Sequence, residues 1–533
     1  MKKIYYIFAV ITGLLVFSTS CVKDLDTEPI DPDVLTASKV FDNPEAYTQF
    51  LAKCYAGLAL SGQQGPAGQG DISGIDEGFG QYLRGYWYHQ ELTTDEALIG
   101  WDDATIKDFH WHQWGDGDVF IAAMYYRIYY QISLCNEFLR QTTDDLLNER
   151  GVTGDWKEKI AYYRAEVRWL RALSYWHALD LFGNENGVPF VVETDPIGDF
   201  HPPAIKNGAL FEFIESELIA LEPALYPPPH PEYGRADKGA AWMLLAKLYL
   251  NADVYIQSDR YADCITYCEK IINEGMYTLA PTWEQLFWAN NDMDMETMNE
   301  IIFPIRFDGS QTQTWGGTTF IIAASIGGSM ESTDYGTAER WGGLRTTPQF
   351  VSLFSDNDNR AMFYTDGQSL EINDISAFES GYAVTKFKNI YIDENGNTVA
   401  GSNETHADTD FPMFRLGDVY LMYAEAVKRG GGGNESIALG YVNALRERVG
   451  ASAINAGDLT LDFILDERGR ELYWECHRRT DLIRYGKFTG GEYIWSWKGN
   501  IQEGRPTDAK YRKFPLPAQD VNTNPNLSQN PNY

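Results

Sequence analysis

The sequence predicts a mainly α-helical fold, a scaffold of paired helices carrying a loop-rich lobe with short β hairpins. Three observations predict it. The stretch from Tyr162 to Phe182 repeats apolar residues at helical spacing through Val167, Leu170, Leu173, Trp176 and Leu179. Helix–turn–helix pairs recur along the chain, though without a strict period. Between them, residues 280–412 lose the helical spacing and carry β-prone runs and Gly-Gly turns at 316–317, 327–328 and 342–343.

Taken in order, the chain opens on Lys2 and Lys3 before an apolar run, Ile4 to Phe17, that is too short and wrongly flanked to span a bilayer. Ser18-Thr19-Ser20 then stands before Cys21, the pattern of a lipoprotein signal. Residues 1–20 are expected to be removed, leaving Cys21 lipidated as an anchor that does not cross the membrane. Residues 21–40, polar and rich in Asp and Pro, read as a tether, and 41–533 as a single domain. Pro44–Leu60 is the first amphipathic helix. The glycine-rich loop Ser61–Phe79 is longer than a plain connection needs, and loops of that length are usually functional or disordered. Met124–Arg140 is helical and pairs back on the opening helix.

The long helix then follows. Gly183 is expected to stop it in the left-handed cap conformation, and Val188-Pro189 leaves extended. Arg164, Glu166, Arg168 and Arg171 are assigned to its wetter faces. After Leu210–Leu221, closed by Pro223, come two pairs, Ala240–Asn251 with Tyr261–Asn273 and Leu416–Lys428 with Ile437–Val449. Each is like a degenerate tetratricopeptide unit. In the lobe, Glu300–Arg306 reads as a strand and Ile390–Asn397 as a hairpin. A last helix is expected over Asp462–Tyr485. Its Arg478, Arg479 and Arg484, set among acids, read as an ion-paired solvated face rather than an anion site.

Composition narrows the function. A formal charge of −33 excludes a surface built for phosphate backbones. The 15 Trp and 33 Tyr exceed what a core alone explains. Beyond Cys21, Cys54, Cys135, Cys264, Cys268 and Cys476 have no framework spacing, and Cys264 and Cys268 read as buried apolar residues rather than zinc ligands. There is no Gly-x-Ser-x-Gly, His-Glu-x-x-His, Cys-x-x-Cys or phosphate-cradling loop. No catalyst is visible.

The segments Arg164–Val191, Gly234–Asn251, Phe411–Glu425, Asp466–Phe488 and Phe514–Tyr533 resemble the SusD/RagB family of outer-membrane nutrient-binding lipoproteins. Cys21–Asp26, Glu91–Glu96, Asn291–Gly317, Asp408–Arg415, Tyr493–Gly499 and Leu527–Asn530 are similar to its starch-binding branch in particular. The resemblance implies a tetratricopeptide-like scaffold whose loops capture starch or malto-oligosaccharides at the cell surface. It also implies a SusC-like TonB-dependent transporter as partner, and no catalysis.

Three aromatic positions of the family's binding arc fall on Trp101, Trp315 and Trp341, and Arg84 and Asp76 match groups that bond sugar hydroxyls. The family's Asn falls on Ala104 here, so its role is lost or passes to Asp102 or Asp103. Pyranose C–H faces stack on indoles while hydroxyls stay wet, so the chemistry fits. Binding of another glycan, a RagB-like peptide binder and a surface glycosidase are the alternatives. Asp292, Asp408 and Asp410 match a region associated with a structural cation. Oxygen ligands alone would favour Ca²⁺, and a solvated acidic surface is the other reading. No other cofactor is expected.

Overall fold

The computed structural model describes residues 37–533 apart from Ala67 and Asp199. The expected signal segment 1–20, Cys21 and most of the expected tether lie outside the described residues. The chain then runs through α1 (Glu45–Ala59), α2 (Tyr82–Gln90), α3 (Val119–Gln141) and α4 (Asp155–Phe182). Helix α4 starts ahead of its apolar periodicity, with Asp155 and Glu158 in the first turn, where carboxylates suit the positive end of the helix dipole. Val167, Leu170, Leu173 and Leu179 are fully buried, as their spacing requires.

Two details of α4 differ from expectation. Glu166 and Arg171 are buried rather than wet. Glu166 accepts the Tyr55 hydroxyl at 2.6 Å and pairs with Arg235, while Arg171 pairs with Glu193 and Glu217. Gly183 ends the helix in extended, not left-handed, conformation (φ −60°, ψ 127°). Glycine is needed there for room, because a Cβ would lie 2.8 Å from Asn207 Oδ1 and closer still to the Leu179 carbonyl.

Next come α5 (Asn207–Leu221), α6 (Lys238–Leu250), α7 (Tyr261–Glu274), α8 (Gly317–Ala324), α9 (Leu416–Lys428), α10 (Glu435–Arg448), α11 (Leu461–Leu472) and α12 (Arg478–Arg484). Packing runs from neighbour to neighbour: α3 on α4, α4 on α5, α5 on α6, α6 on α7, α7 on α9 and α9 on α10. The expected pairs α6–α7 and α9–α10 are therefore links in one continuous helical layer. Among the described residues, no helix is long and apolar enough to cross a membrane.

The expected final helix is broken. Between α11 and α12, Trp474 (φ 65°) and Cys476 (φ 67°) take left-handed conformations that bulky side chains avoid. Buried carboxylates from a distant segment hold the break. Glu91 accepts the N–H groups of Cys476 (2.6 Å) and His477 (3.2 Å), and Glu96 accepts that of Trp474 (3.0 Å). Tertiary hydrogen bonds have overridden helix propensity here.

The arginines are ion-paired as expected but not solvated. Arg478 holds Asp95 through two bonds of 2.8 Å, Arg484 holds Glu425, and Arg479 is fully buried. Nearby, Arg415 reaches Glu300, Glu471 and Glu475 at 3.0, 2.7 and 2.6 Å.

The lobe carries β1 (Leu98–Ile99), β2 (Ile301–Ile305), β3 (Leu344–Arg345), β4 (Ile390–Ile392), β5 (Thr398–Ala400) and β6 (Phe411–Arg415), paired antiparallel as β1–β3, β2–β6 and β4–β5. The pair β4–β5 is the expected hairpin, its turn held by Asp393 accepting the N–H groups of Asn395 and Asn397. Helix α8 was not legible as a helix in that stretch. Much of the Trp content is core: Trp87, Trp114, Trp169, Trp283, Trp474 and Trp495 are fully buried. All five cysteines among the described residues are buried too.

Candidate functional site

Two short strands build the site. The register Leu98↔Arg345 and Ile99↔Leu344, extended by the Gly100 N–H donating to Gly343 O at 3.0 Å, brings Trp101 beside Trp341. Their ring centroids lie 6.2 Å apart, tilted by 54°. On the other side of Trp341 lies Trp315, at 5.8 Å and 52°. The spatial order is thus Trp101–Trp341–Trp315, with Trp341 central. Each ring is half-buried, its back packed and part of its surface open.

Helix α8 backs the arc. Trp315 precedes its first turn, and Phe320 meets Trp101 edge-on at 6.1 Å. The N–H groups of Trp341 and Gly343 donate to the carbonyls of Ala323 and Ala324, groups the end of a helix leaves unpaired. Trp-Gly-Gly occurs twice, at 315–317 and 341–343, and the glycines let the backbone tuck behind the rings. A Cβ on Gly343 would run into the Trp101 indole, and one on Gly316 into Gln81. Gln81 ties the region together, donating to the Leu58 and Ala59 carbonyls at the end of α1 and accepting the Gly317 N–H.

Arg84 lies underneath. It is 4% exposed, donates to Trp315 O at 2.7 Å and to the Tyr88 hydroxyl at 2.6 Å, and sits 4.2 Å from the Phe79 ring centre and 4.4 Å from that of Phe320. A guanidinium over aromatic faces is attracted by their quadrupoles, so Arg84 cements the floor of the arc. Asp76 is exposed on the rim, with Oδ1 accepting the Gly78 N–H at 3.0 Å. Asp102, next to Trp101, is exposed and paired with Lys107 at 2.5 Å. Ala104 takes φ 43°, a conformation Asn tolerates better than Ala.

Sequence reasoning missed two residues that touch the rings. His406 packs on Trp315 at 4.7 Å with Nδ1 facing Thr314 O. Burial lowers its pKa, which favours the neutral ring. Glu339 accepts the Trp341 indole N–H at 2.8 Å. The paired Trp-Gly-Gly motif was the available signal for this backing; nothing in the sequence flags His406.

The carboxylates Asp292, Asp408 and Asp410 do not assemble into a ligand set, and no group of three or more His, Cys, Asp or Glu positioned for a metal exists among the described residues. Asp408 is spent on the Gly309 N–H and the Ser402 hydroxyl, both at 2.7 Å. Asp410 is fully buried, accepts the Phe307 N–H at 2.6 Å, and is pushed up in pKa by burial and then by Asp292. Arg306 faces both Asp292 and Asp410, supplying positive charge where a cation would sit. A separate apolar cavity of about 650 Å³, lined by Leu51, Tyr55, Phe303 and Arg235, includes none of the three arc indoles.

Comparison with known proteins places this architecture. The starch-binding protein SusD of Bacteroides thetaiotaomicron is 34% identical, over 97% of this chain and 96% of that protein. A model of the SusD family matches residues 371–533. The chain belongs to the SusD family. The SusD-like protein P25 of Formosa agariphila is 27% identical over 68% of this chain and 71% of its own.

Among solved structures, a SusD superfamily protein from Parabacteroides distasonis superposes with a TM-score of 0.69 at 22% identity, covering 94% of this chain and all of that one. Surface glycan-binding protein A from Bacteroides thetaiotaomicron, in complex with laminarihexaose, superposes at 0.66 and 20% identity, covering 91% of this chain and 99% of that one. These two likenesses concern the fold. Like other SusD-family chains, this one is a binding protein and not an enzyme.

Proposed function

We propose that this chain is a cell-surface lipoprotein that captures starch or malto-oligosaccharides on the Trp101–Trp341–Trp315 arc and delivers them to a SusC-like TonB-dependent transporter. The observation that carries the reading is the tilt between successive indoles, 54° and then 52°. A flat ribbon of glucose units needs coplanar platforms. A coiled glucan turns as it advances and suits rings tilted to one another, and both α-1,4- and β-1,3-glucans coil, so the tilt selects against the flat ribbon. The 34% identity with a protein named for starch binding supports the same ligand.

Sugar C–H faces would rest on the three indoles while Asp76 and Asp102 take hydroxyls at the rim and Arg84 holds the floor. Each stacked ring contributes about 1 kcal/mol, so a single arc binds weakly and favours long, multivalent chains.

Cys21 is the proposed lipid anchor, and Cys21→Ala is expected to release the protein from membranes. Retention of that variant in the membrane fraction refutes the anchor. For the ligand, native electrophoresis through gels containing amylopectin or laminarin is the test. Retardation in amylopectin exceeding that in laminarin is expected. Free migration in amylopectin overturns the starch reading, and retardation in laminarin alone reassigns the arc to a β-glucan.

A further inference from the structure

The arc is open to solvent, yet its central ring is not free to turn. The Trp341 indole N–H ends on Glu339 Oε2 at 2.8 Å. Glu339 is itself held, its backbone N–H donating to Thr337 Oγ1 at 3.0 Å. Thr337 is buried, and its hydroxyl donates to the Glu404 carbonyl at 2.9 Å, which also accepts the Ala338 N–H at 2.7 Å. Two residues beyond Glu404, His406 packs on Trp315. The loop at 402–408 is stiffened from within: Asn403 accepts the N–H groups of Thr405 and His406, and Asp408 accepts the Ser402 hydroxyl. One preorganised loop therefore reaches two of the three rings, touching Trp315 directly and Trp341 through Glu339.

We propose that Glu339 is a positioning residue for glycan binding, fixing the rotation of the Trp341 indole so that its face is presented at the angle the neighbouring rings require. The inference rests on the glycan reading of the arc. Its physical basis is preorganisation: an indole locked before the ligand arrives loses no rotamer freedom on binding, and one left to rotate does. Glu339 acts through the indole N–H, so an acceptor at that position is what matters, not the negative charge.

The test compares Glu339→Ala and Glu339→Gln with the wild type by titration with maltoheptaose and by retardation in amylopectin gels. Glu339→Ala is expected to bind roughly five-fold more weakly, about the worth of one stacked ring. Glu339→Gln, whose amide oxygen still accepts the indole N–H, is expected to stay within about two-fold of the wild type. Both should melt close to the wild type.

A double-mutant cycle with Trp341→Phe, which keeps an aromatic face but has no N–H, isolates the route. Adding Glu339→Ala to that background should cost nothing further. Wild-type affinity in Glu339→Ala, an equal loss in Glu339→Gln, or a full additional loss in the Trp341→Phe background overturns the proposal. Trp341→Ala is the control for the underlying reading: if the wild type binds, Trp341→Ala weakens binding and Glu339→Ala does not, the arc stands and the positioning role falls.

Discussion

Gly343 shows how far a single residue can govern the arc. Its lack of a side chain is what lets the Trp101 indole lie against the β1–β3 pair, since a Cβ there would come within 2.5 Å of the indole Cε2. Gly343→Ala is expected to displace Trp101 and weaken glycan binding roughly five-fold, with little effect on melting because the ring is already half in solvent. Titration with maltoheptaose and a melting curve check this; unchanged affinity contradicts it. The three indoles were legible in the sequence as exposed-loop aromatics matching a family pattern. Their spatial order was not, because it depends on a pairing of two-residue strands, Leu98–Ile99 with Leu344–Arg345, too short to leave a periodic trace. Glu339 and His406 were invisible for a similar reason: one acceptor and one packed ring have no spacing to read.

At the scale of elements, the helices were the most legible part. Leu416–Lys428 has the bounds its periodicity predicts, and α1, α5, α6 and α7 differ from expectation by a few residues at most. The failure at Tyr473–His477 is instructive, since the local sequence is helical and the cause is remote, in Glu91 and Glu96. The same region turns a supposed wet face into a buried ionic layer. Arg415 touches Glu300, Glu471 and Glu475 there, and Arg415→Ala would remove the cation these three share, leaving Glu300 and Glu471 to Arg448 and Glu475 to Lys386. The variant is expected to lose about 3–5 kcal/mol in denaturant unfolding, and a loss below 1 kcal/mol contradicts the assignment.

The pH dependence of this layer has two limbs. Burial, opposed first by the hydrogen bond from the neighbouring Glu96 carboxyl and then by the N–H groups of Cys476 and His477, pushes Glu91 from its ordinary 4.5 up to about 7. A carboxyl raised in the fold favours the folded state while neutral, so its contribution is complete below pH 4.5 and is lost as pH climbs toward 7. Arg484 and then Arg429 hold Glu425 down at about 2 against the cost of burial, and its contribution, present above 4.5, is lost as pH falls toward 2. Glu91→Gln keeps the acceptor without the charge. Its stability relative to the wild type should rise between pH 4.5 and 7, whereas a difference flat across that window contradicts the account.

The whole molecule is a continuous helical layer with a loop-rich lobe that carries the aromatic arc. The recurring helix pairs and the loop-rich lobe could be read from spacing and turn residues, and their combination with the family resemblance pointed to the arc before any geometry was known. What spacing could not supply was the depth of the buried ion pairs or the use of Asp408 as a loop staple in place of a metal ligand, because both arise from residues brought together across the fold. The proposed function stands or falls with three tilted indoles binding a coiled glucan. Calorimetric titration of the wild type and the Trp101/Trp315/Trp341→Ala triple variant with maltoheptaose tests it most directly. Measurable binding by the wild type and none by a triple variant that melts at the wild-type temperature are expected; equal binding by the two proteins overturns the starch reading.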